Sequence, residues 1–239
     1  PVYVPPETAV LPLLREQEGE GGQNRTSTAE ERVIGAGLKA LEKNKDGAAV
    51  KELFHMFAVT QEDFVHPMAV IELLWRSCCA SESEKQEGSL TTRLKVRQWT
   101  QLLVDHSLLL GSSSEGIHLH DIVLQYLRKR LSAEEMRTEQ RRVVDGMVAA
   151  SRARMKQTGR YLQDTGSTAN AFAGEEVDWY CCNVGPYHVQ RAGDPSVAAA
   201  DDERVQRWVL GSDPVIVRAV ATAVGAEGLG TLVARLMQE

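Results

Sequence analysis

The sequence predicts a mainly α-helical fold, interrupted once by a short β-hairpin near residues 108–119. Two observations carry that prediction. Apolar residues recur at i, i+4, i+7 spacing through most of the chain after residue 28, the signature of one-faced helices. The period shortens to two only around Ile117-His118-Leu119, beside the turn-forming run Gly111 to Gly116. Nothing in the order of these segments requires a parallel sheet.

Residues 1–28 hold Pro5, Pro6 and Pro12 and then Glu18-Gly19-Glu20-Gly21-Gly22, the composition of a linker or frayed end. Thr28, with Glu31 three residues on, forms a capping box for a first helix, whose stripe is Ile34, Leu38 and Leu41. Asn44 to Gly47 ends that helix. A second carries Val50, Leu53, Phe54 and Phe57 on one face. Thr60 to His66 reads as a polar loop, and Pro67 suits the first turn of a third helix burying Met68, Ile71, Leu74 and Trp75. After an acidic loop, Ser81 to Gly88, a longer helix runs from Leu90 to His106 with Leu94, Trp99, Leu102 and Leu103 inward. Leu108-Leu109-Leu110 and Ile117-His118-Leu119 are the expected strands. Asp121 is placed to cap the next helix, whose core face is Val123, Tyr126, Leu127 and Leu131.

Helix, helix, helix, hairpin, with a further helix behind, is the element order of a winged helix. Downstream the pattern is helical throughout. One stripe is Met136, Val143, Val144, Met147, Val148 and Ser151; Gln157 to Gly174 reads as a loop. A second stripe, Val177, Tyr180, Val184, Tyr187 and His188, is kinked at Gly185-Pro186. Val205, Trp208 and Val209 follow, then a helix opened by Asp213-Pro214 through Val215, Ile216, Ala219, Val220 and Ala223. Leu229, Leu232, Val233 and Leu236 make a last amphipathic helix whose apolar stripe asks for cover. The expected organisation is therefore a linker over 1–28, a winged-helix domain with a preceding helix over 29–132, and a helical arm over 133–239.

Composition narrows the function. Among 239 residues, 43% are hydrophobic and 25% charged, enough to bury a core in a soluble globular protein. A net charge of -6 gives no global basic field for nucleic acid. The four cysteines form adjacent pairs, Cys78-Cys79 and Cys181-Cys182, without the C-x2-C spacing of a zinc site. They read as reduced, mostly buried thiols. No apolar run approaches the ~18 residues of a membrane span, and no signal peptide is apparent. Pro1 opens without an initiator Met, so the chain is expected to be an excerpt of a longer, cytoplasmic protein. Asn24-Arg25-Thr26 fits a glycosylation sequon, which carries no meaning in that setting.

Two stretches resemble the NB-ARC switch ATPases, the STAND-type group that includes apoptotic protease-activating factors and plant resistance proteins. The first runs from Leu53-Phe54-His55-Met56-Phe57 through Gln61-Glu62-Asp63 to Leu74-Trp75, then Leu103-Val104-Asp105-His106-Ser107-Leu108-Leu109. It ends in Leu119-His120-Asp121, similar to the family's M-H-D motif with Leu for Met, an apolar exchange. The second, Trp179-Tyr180, Tyr187-His188-Val189 and Ala192 followed by Val205 to Val209, is similar to the helical domain after the winged helix in the apoptotic factors. Together they cover residues 29–225. The G-x-x-x-x-G-K-[ST] loop that cradles phosphates is absent, so the resemblance implies a region without the catalytic P-loop domain, not an enzyme by itself.

The same resemblance implies that His120 and Asp121 form the nucleotide-sensing pair. His120 would contact the β-phosphate of ADP held mainly by a domain outside this chain, with ADP/ATP as cofactor. The implied partners are an intramolecular nucleotide-binding domain, a C-terminal repeat domain and, on activation, further copies of the protein. Membrane and nucleic acid are not expected partners. Read without that motif, His120 is in preference a half-buried structural histidine and Asp121 a plain cap, a role compatible with aiming His120. His118 and His120, two apart on a strand, lack a third metal ligand nearby. Arg93, Lys95 and Arg97 lie on the helix that would enter a DNA groove; a solvated face is the preferred reading, and a winged-helix DNA-binding module the alternative. Arg141, Arg142, Arg152 and Arg154 read as ordinary surface charges. No Ser/His/Asp or Cys/His arrangement follows from spacing, and the four tryptophans, Trp75, Trp99, Trp179 and Trp208, all fall on apolar stripes.

Overall fold

A computed structural model describes residues 28–79, 90–158, 168–194, 196–210 and 214–237. All of the expected linker before Thr28, the Asn24 sequon, the Ser81 to Gly88 loop and Asp213 lie outside these residues. The chain is mainly helical with one small antiparallel sheet. Among the described residues the helices are α1 (Ala29–Leu41), α2 (Gly47–Met56), α3 (Met68–Cys78), α4 (Leu90–Asp105), α5 (Asp121–Arg128), α6 (Ala133–Thr158), α7 (Thr168–Asn183), α8 (Gly185–Ala192), α9 (Glu203–Val209) and α10 (Pro214–Leu236). Strands β1 (Leu110–Ser112) and β2 (Gly116–His118) form the hairpin, and 3₁₀ turns occupy Phe57–Val59 and Ala199–Asp201. Two compact units emerge, one of residues 1–66 with 79–131 and one of 67–78 with 132–239. Helix α3 counts with the second, so these units differ from the continuous stretches 29–132 and 133–239 at that helix.

In the first unit, Thr28 and Glu31 close the expected capping box on α1, and Ile34, Leu38 and Leu41 are buried. Asp46, preceding α2, makes no cap bond. Its carboxylate instead accepts from Trp99 Nε1 at 3.3 Å, tying α4 to the start of α2. The inward face of α4 is Val96, Trp99, Thr100 and Leu103. Leu94, expected inward, is 52% exposed, because Val96 completes the i, i+3, i+7 row in its place. Helix α4 ends where Ser107 takes a left-handed φ of 57°. The amides of Leu108 and Leu109 then turn back onto the Leu103 carbonyl at 2.9 and 3.3 Å. Both leucines are buried, but as a helix-ending turn rather than as strand, so the ladder starts only at Leu110.

In the second unit, α3 is buried all round. It packs with α6 and α7, and α8 lies against α6 and α10. At its centre Gln140 Oε1, an acceptor only, receives His188 Nδ1–H at 2.6 Å. The ring's other nitrogen therefore accepts from the Tyr180 hydroxyl, also at 2.6 Å. Gln140, His188 and Tyr180 are all fully buried. The expected Gln157 to Gly174 loop is shorter than its composition suggests: α6 reaches Thr158 and α7 begins at Thr168, with 159–167 outside the described residues. The expected kink at Gly185-Pro186 interrupts the helix at Val184 alone, which keeps a right-handed helical backbone, and α8 opens with proline in its first turn. Trp179 is 54% exposed and not a core residue, since Tyr180 beside it takes the inward position. Cys78 and Cys181 are buried, Cys79 and Cys182 half-buried, and none of the four forms a disulfide.

Helix α10 corrects the expectation that no segment suits a bilayer: its 23 residues are long and apolar enough by length and composition alone. Its backbone, however, breaks at Gly225, whose φ of 74° is open to glycine and strained for other residues. A break there would leave carbonyls unpaired in hydrocarbon. The two sequence-predicted helices are thus the two segments of α10 on either side of Gly225, with Leu232 buried and Val233 46% exposed.

Tyr180→Phe removes the O–H that donates to His188 Nε2. It should lower stability by about 1–3 kcal/mol, the cost of an unsatisfied buried acceptor. Denaturant unfolding of the variant beside the parent measures this, and an unchanged midpoint would remove the network from the list of stabilising contacts.

Candidate functional site

The hairpin sets the geometry of the Leu119-His120-Asp121 segment. Strands β1 and β2 pair in the register Leu110 with His118, Gly111 with Ile117 and Ser112 with Gly116. In the turn, Ser112 Oγ accepts from the Glu115 amide at 3.2 Å. Gly116 sits at φ 96°, and a Cβ there would stand 2.5 Å from Val65 Cγ1, so both backbone and space exclude a side chain. Across from it the connector between α2 and α3 joins the sheet. His66 N–H donates to the Ile117 carbonyl at 2.7 Å and Ile117 N–H to the His66 carbonyl at 2.9 Å. The stretch read as a polar loop therefore ends in a buried third sheet position.

His66 and its neighbour in space, Phe64, stack edge to face with centroids 4.7 Å apart. Burial, reinforced by His118, pulls the His66 imidazole down to about 3. His55, at the end of α2, is pulled down to about 4, by burial first and then by Arg130 and Lys51. Its Nε2 is buried without a hydrogen-bond partner among the described residues.

After β2 the chain stays extended through half-buried Leu119 to His120, with φ -68° and ψ 142°. His120 is the N-cap of α5. Its carbonyl accepts from Val123 at 2.9 Å and Leu124 at 3.0 Å, but its side chain makes no cap bond. The ring is exposed. Asp121, expected as the cap, is instead the first helical residue, since the extended backbone ends one position earlier. Its exposed carboxylate lies at the positive end of the helix dipole. The far end of α5 is pinned by Arg128, whose guanidinium donates to the carbonyls of Ala58 and Thr60 at 3.3 and 2.7 Å and pairs with Glu62 at 2.5 Å.

Compared with known protein families, curated proteins and solved structures, the chain has no match. The site is therefore judged on its own geometry. His120 and Asp121 come together as consecutive exposed residues on a buried support. Arg93, Lys95 and Arg97 are exposed along α4. Among the described residues no group of three or more His, Cys, Asp or Glu side chains suits a metal ion. Sequence reasoning missed the structural arginines. Arg141, read as a surface charge, is half-buried and donates to the Ala192 carbonyl at 3.0 Å. Arg152 caps the carbonyls of Arg207 and Leu210. The arginine at i and the helix end it serves lie some fifty residues apart, so no local pattern announces them.

The two depressed histidines give stability a pH dependence of definite sign. Folded, they stay neutral to about 3 and 4; unfolded, they titrate near 6.5. Between those values the unfolded chain binds more protons, so stability falls as pH drops below 6.5. From pH 6.5 to 5, before most carboxylates titrate, each should remove about 1.5 kcal/mol. Denaturant unfolding across that window should show the loss, and a folded His66→Leu should reduce it by about half, to the share of His55. A pH-independent midpoint would contradict the burial of both rings as neutral groups.

Proposed function

We propose that this chain is a nucleotide-state-sensing and scaffold region of a larger signal-transduction switch NTPase, cytoplasmic and not catalytic by itself. The carrying observation is His120. Its backbone is committed to starting α5, while its ring is exposed and engaged in no hydrogen bond among the described residues. A side chain so placed is available to an external anion. The Leu119-His120-Asp121 resemblance supplies the anion's identity, the β-phosphate of ADP on a separate nucleotide-binding domain. The element order α2, the strand position at His66, α3, α4 and the hairpin supports a winged helix as the platform, and the helices after Ser132 support the helical arm. Ile122, next in the chain after this pair, is 54% exposed, which suits a face covered by that domain.

On this reading the mechanism is a differential contact. The imidazole donates to phosphate only when the winged helix is docked, and only such a contact shifts a two-state equilibrium. Losing a charge-assisted hydrogen bond of about 1.5–3 kcal/mol would raise the open population roughly ten- to a hundredfold. Asp121 biases the helix end that aims the histidine. A C-terminal repeat domain and self-association on opening complete the proposed arrangement.

A second reading, a winged-helix DNA-binding module, is favoured by the exposure of Arg93, Lys95 and Arg97 on α4. Salt-dependent duplex binding lost in Arg93→Ala with Arg97→Ala would select it.

The test is nucleotide exchange on the full-length protein. His120→Ala should leave the fold intact and speed ADP release about tenfold or more, and Leu119→Ala should chiefly lower stability. Wild-type exchange in His120→Ala would return His120 to a structural role.

A further inference from the structure

The second unit contains a cavity of about 460 Å³ whose lining includes Arg141, Arg152, Arg204 and Arg207 with Asp145 and Trp208. Four arginines and a single carboxylate residue line it, in a chain whose net charge is -6. The imbalance is local and built by the fold. Arg141 and Arg152, eleven residues apart on α6, share one helix face with Asp145, and α9 brings Arg204 and Arg207 to the same cavity.

Ordinary ion pairing leaves the charge largely intact. Arg152 spends its Nη2 on two backbone carbonyls, which orient the guanidinium without neutralising it. Arg141 donates through Nε to the Ala192 carbonyl. It meets Glu134 at 3.4 Å, but that carboxylate is held closer by Arg137, at 2.6 Å. Arg207 meets Glu203 at 3.6 Å, both highly exposed, a pair of little value. Arg204 has no ion pair among the described residues. The lone carboxylate, Asp145, is occupied as acceptor of Trp208 Nε1 at 2.6 Å. Val148 and the Trp208 ring add an apolar wall. The volume lies in the range of small-molecule sites. Planar guanidiniums pair bidentately with the oxygens of carboxylates and phosphoryl groups, and a phosphoryl group brings the greater charge to a cluster of four.

We propose that this cavity binds a small organic molecule bearing two or more phosphoryl groups. The site is independent of His120 and of the nucleotide-sensing proposal. The phosphoryl groups take Arg204 and the free edges of Arg152 and Arg141, and the organic part lies on the apolar wall. A single phosphate engages too few of the four cations to match this array.

Calorimetric titration of the full 239-residue chain with inorganic pyrophosphate, and separately with inorganic phosphate, tests it. Pyrophosphate should bind at a 1:1 ratio, about tenfold or more tighter than phosphate, and more weakly as salt is raised. Arg204→Glu removes a side chain that bonds to no other group among the described residues, so the fold should survive, as circular dichroism will verify. It should weaken pyrophosphate about tenfold or more, while Arg204→Lys retains part of the binding and Arg93→Glu on α4 leaves it unchanged. Absence of saturable pyrophosphate binding would overturn the proposal. So would equal affinity for the two anions, or equal loss in Arg204→Glu and Arg93→Glu, the mark of diffuse charge.

Discussion

The reciprocal backbone pair between His66 and Ile117 is the contact on which the first unit's hairpin and the start of α5 rest. Two residues fifty-one positions apart exchange both of their backbone hydrogen bonds, at 2.7 and 2.9 Å. A three-residue-per-strand hairpin is too short to be stable by itself. Joined to the connector before α3, it gains a third sheet position and a buried Ile117. The chain leaving β2 is then fixed in direction. Leu119 is half-buried, His120 starts α5, and the imidazole faces outward because the backbone around it is already committed. Arg128 secures the other end of α5 on the carbonyls of the 3₁₀ turn. The histidine is thus carried on a backbone whose direction is already set, while its exposed ring makes no hydrogen bond among the described residues.

In the second unit polar groups do a comparable job inside a helical core. The Gln140, His188 and Tyr180 chain crosses α6, α8 and α7, and every member has a partner with opposite hydrogen-bonding sense. Such a set is costly unless complete, so it selects one helix register over its neighbours. The arginines of α6 act differently. They reach out from one helix to satisfy carbonyls at the ends of others, and in doing so they gather charge around a cavity.

Most helices were legible because their stripes are strictly periodic: Ile34, Leu38 and Leu41 on α1, or Val143, Val144, Met147 and Val148 on α6, are buried as the spacing predicts. The hairpin was legible from the Gly111 to Gly116 run, but its edges were not. Leu108 and Leu109 look like strand by composition, yet Ser107 adopts the left-handed conformation and converts them into a helix-ending turn. The third sheet position at His66 was hidden in a stretch of polar residues, since a single pairing leaves no period. Leu94 and Trp179 were misplaced because each has an apolar competitor close in sequence, Val96 and Tyr180, that took the inward position. At the candidate site the residues were legible and the division of labour was not. Which of His120 and Asp121 caps α5 depends on where the extended backbone ends, a property of the hairpin's register and not of either side chain.

The junction at His120 is set in advance only if the His66–Ile117 pair holds the hairpin to the core. Native-state hydrogen exchange of those two amides tests this most directly. They should open with free energies within about 1 kcal/mol of the most protected amides of α2 and α4, as members of one cooperative unit. Exchange of Ile117 and His66 at the rate of the exposed Ser113 and Ser114 turn would contradict it, and would leave His120 on a segment that frays independently of the core.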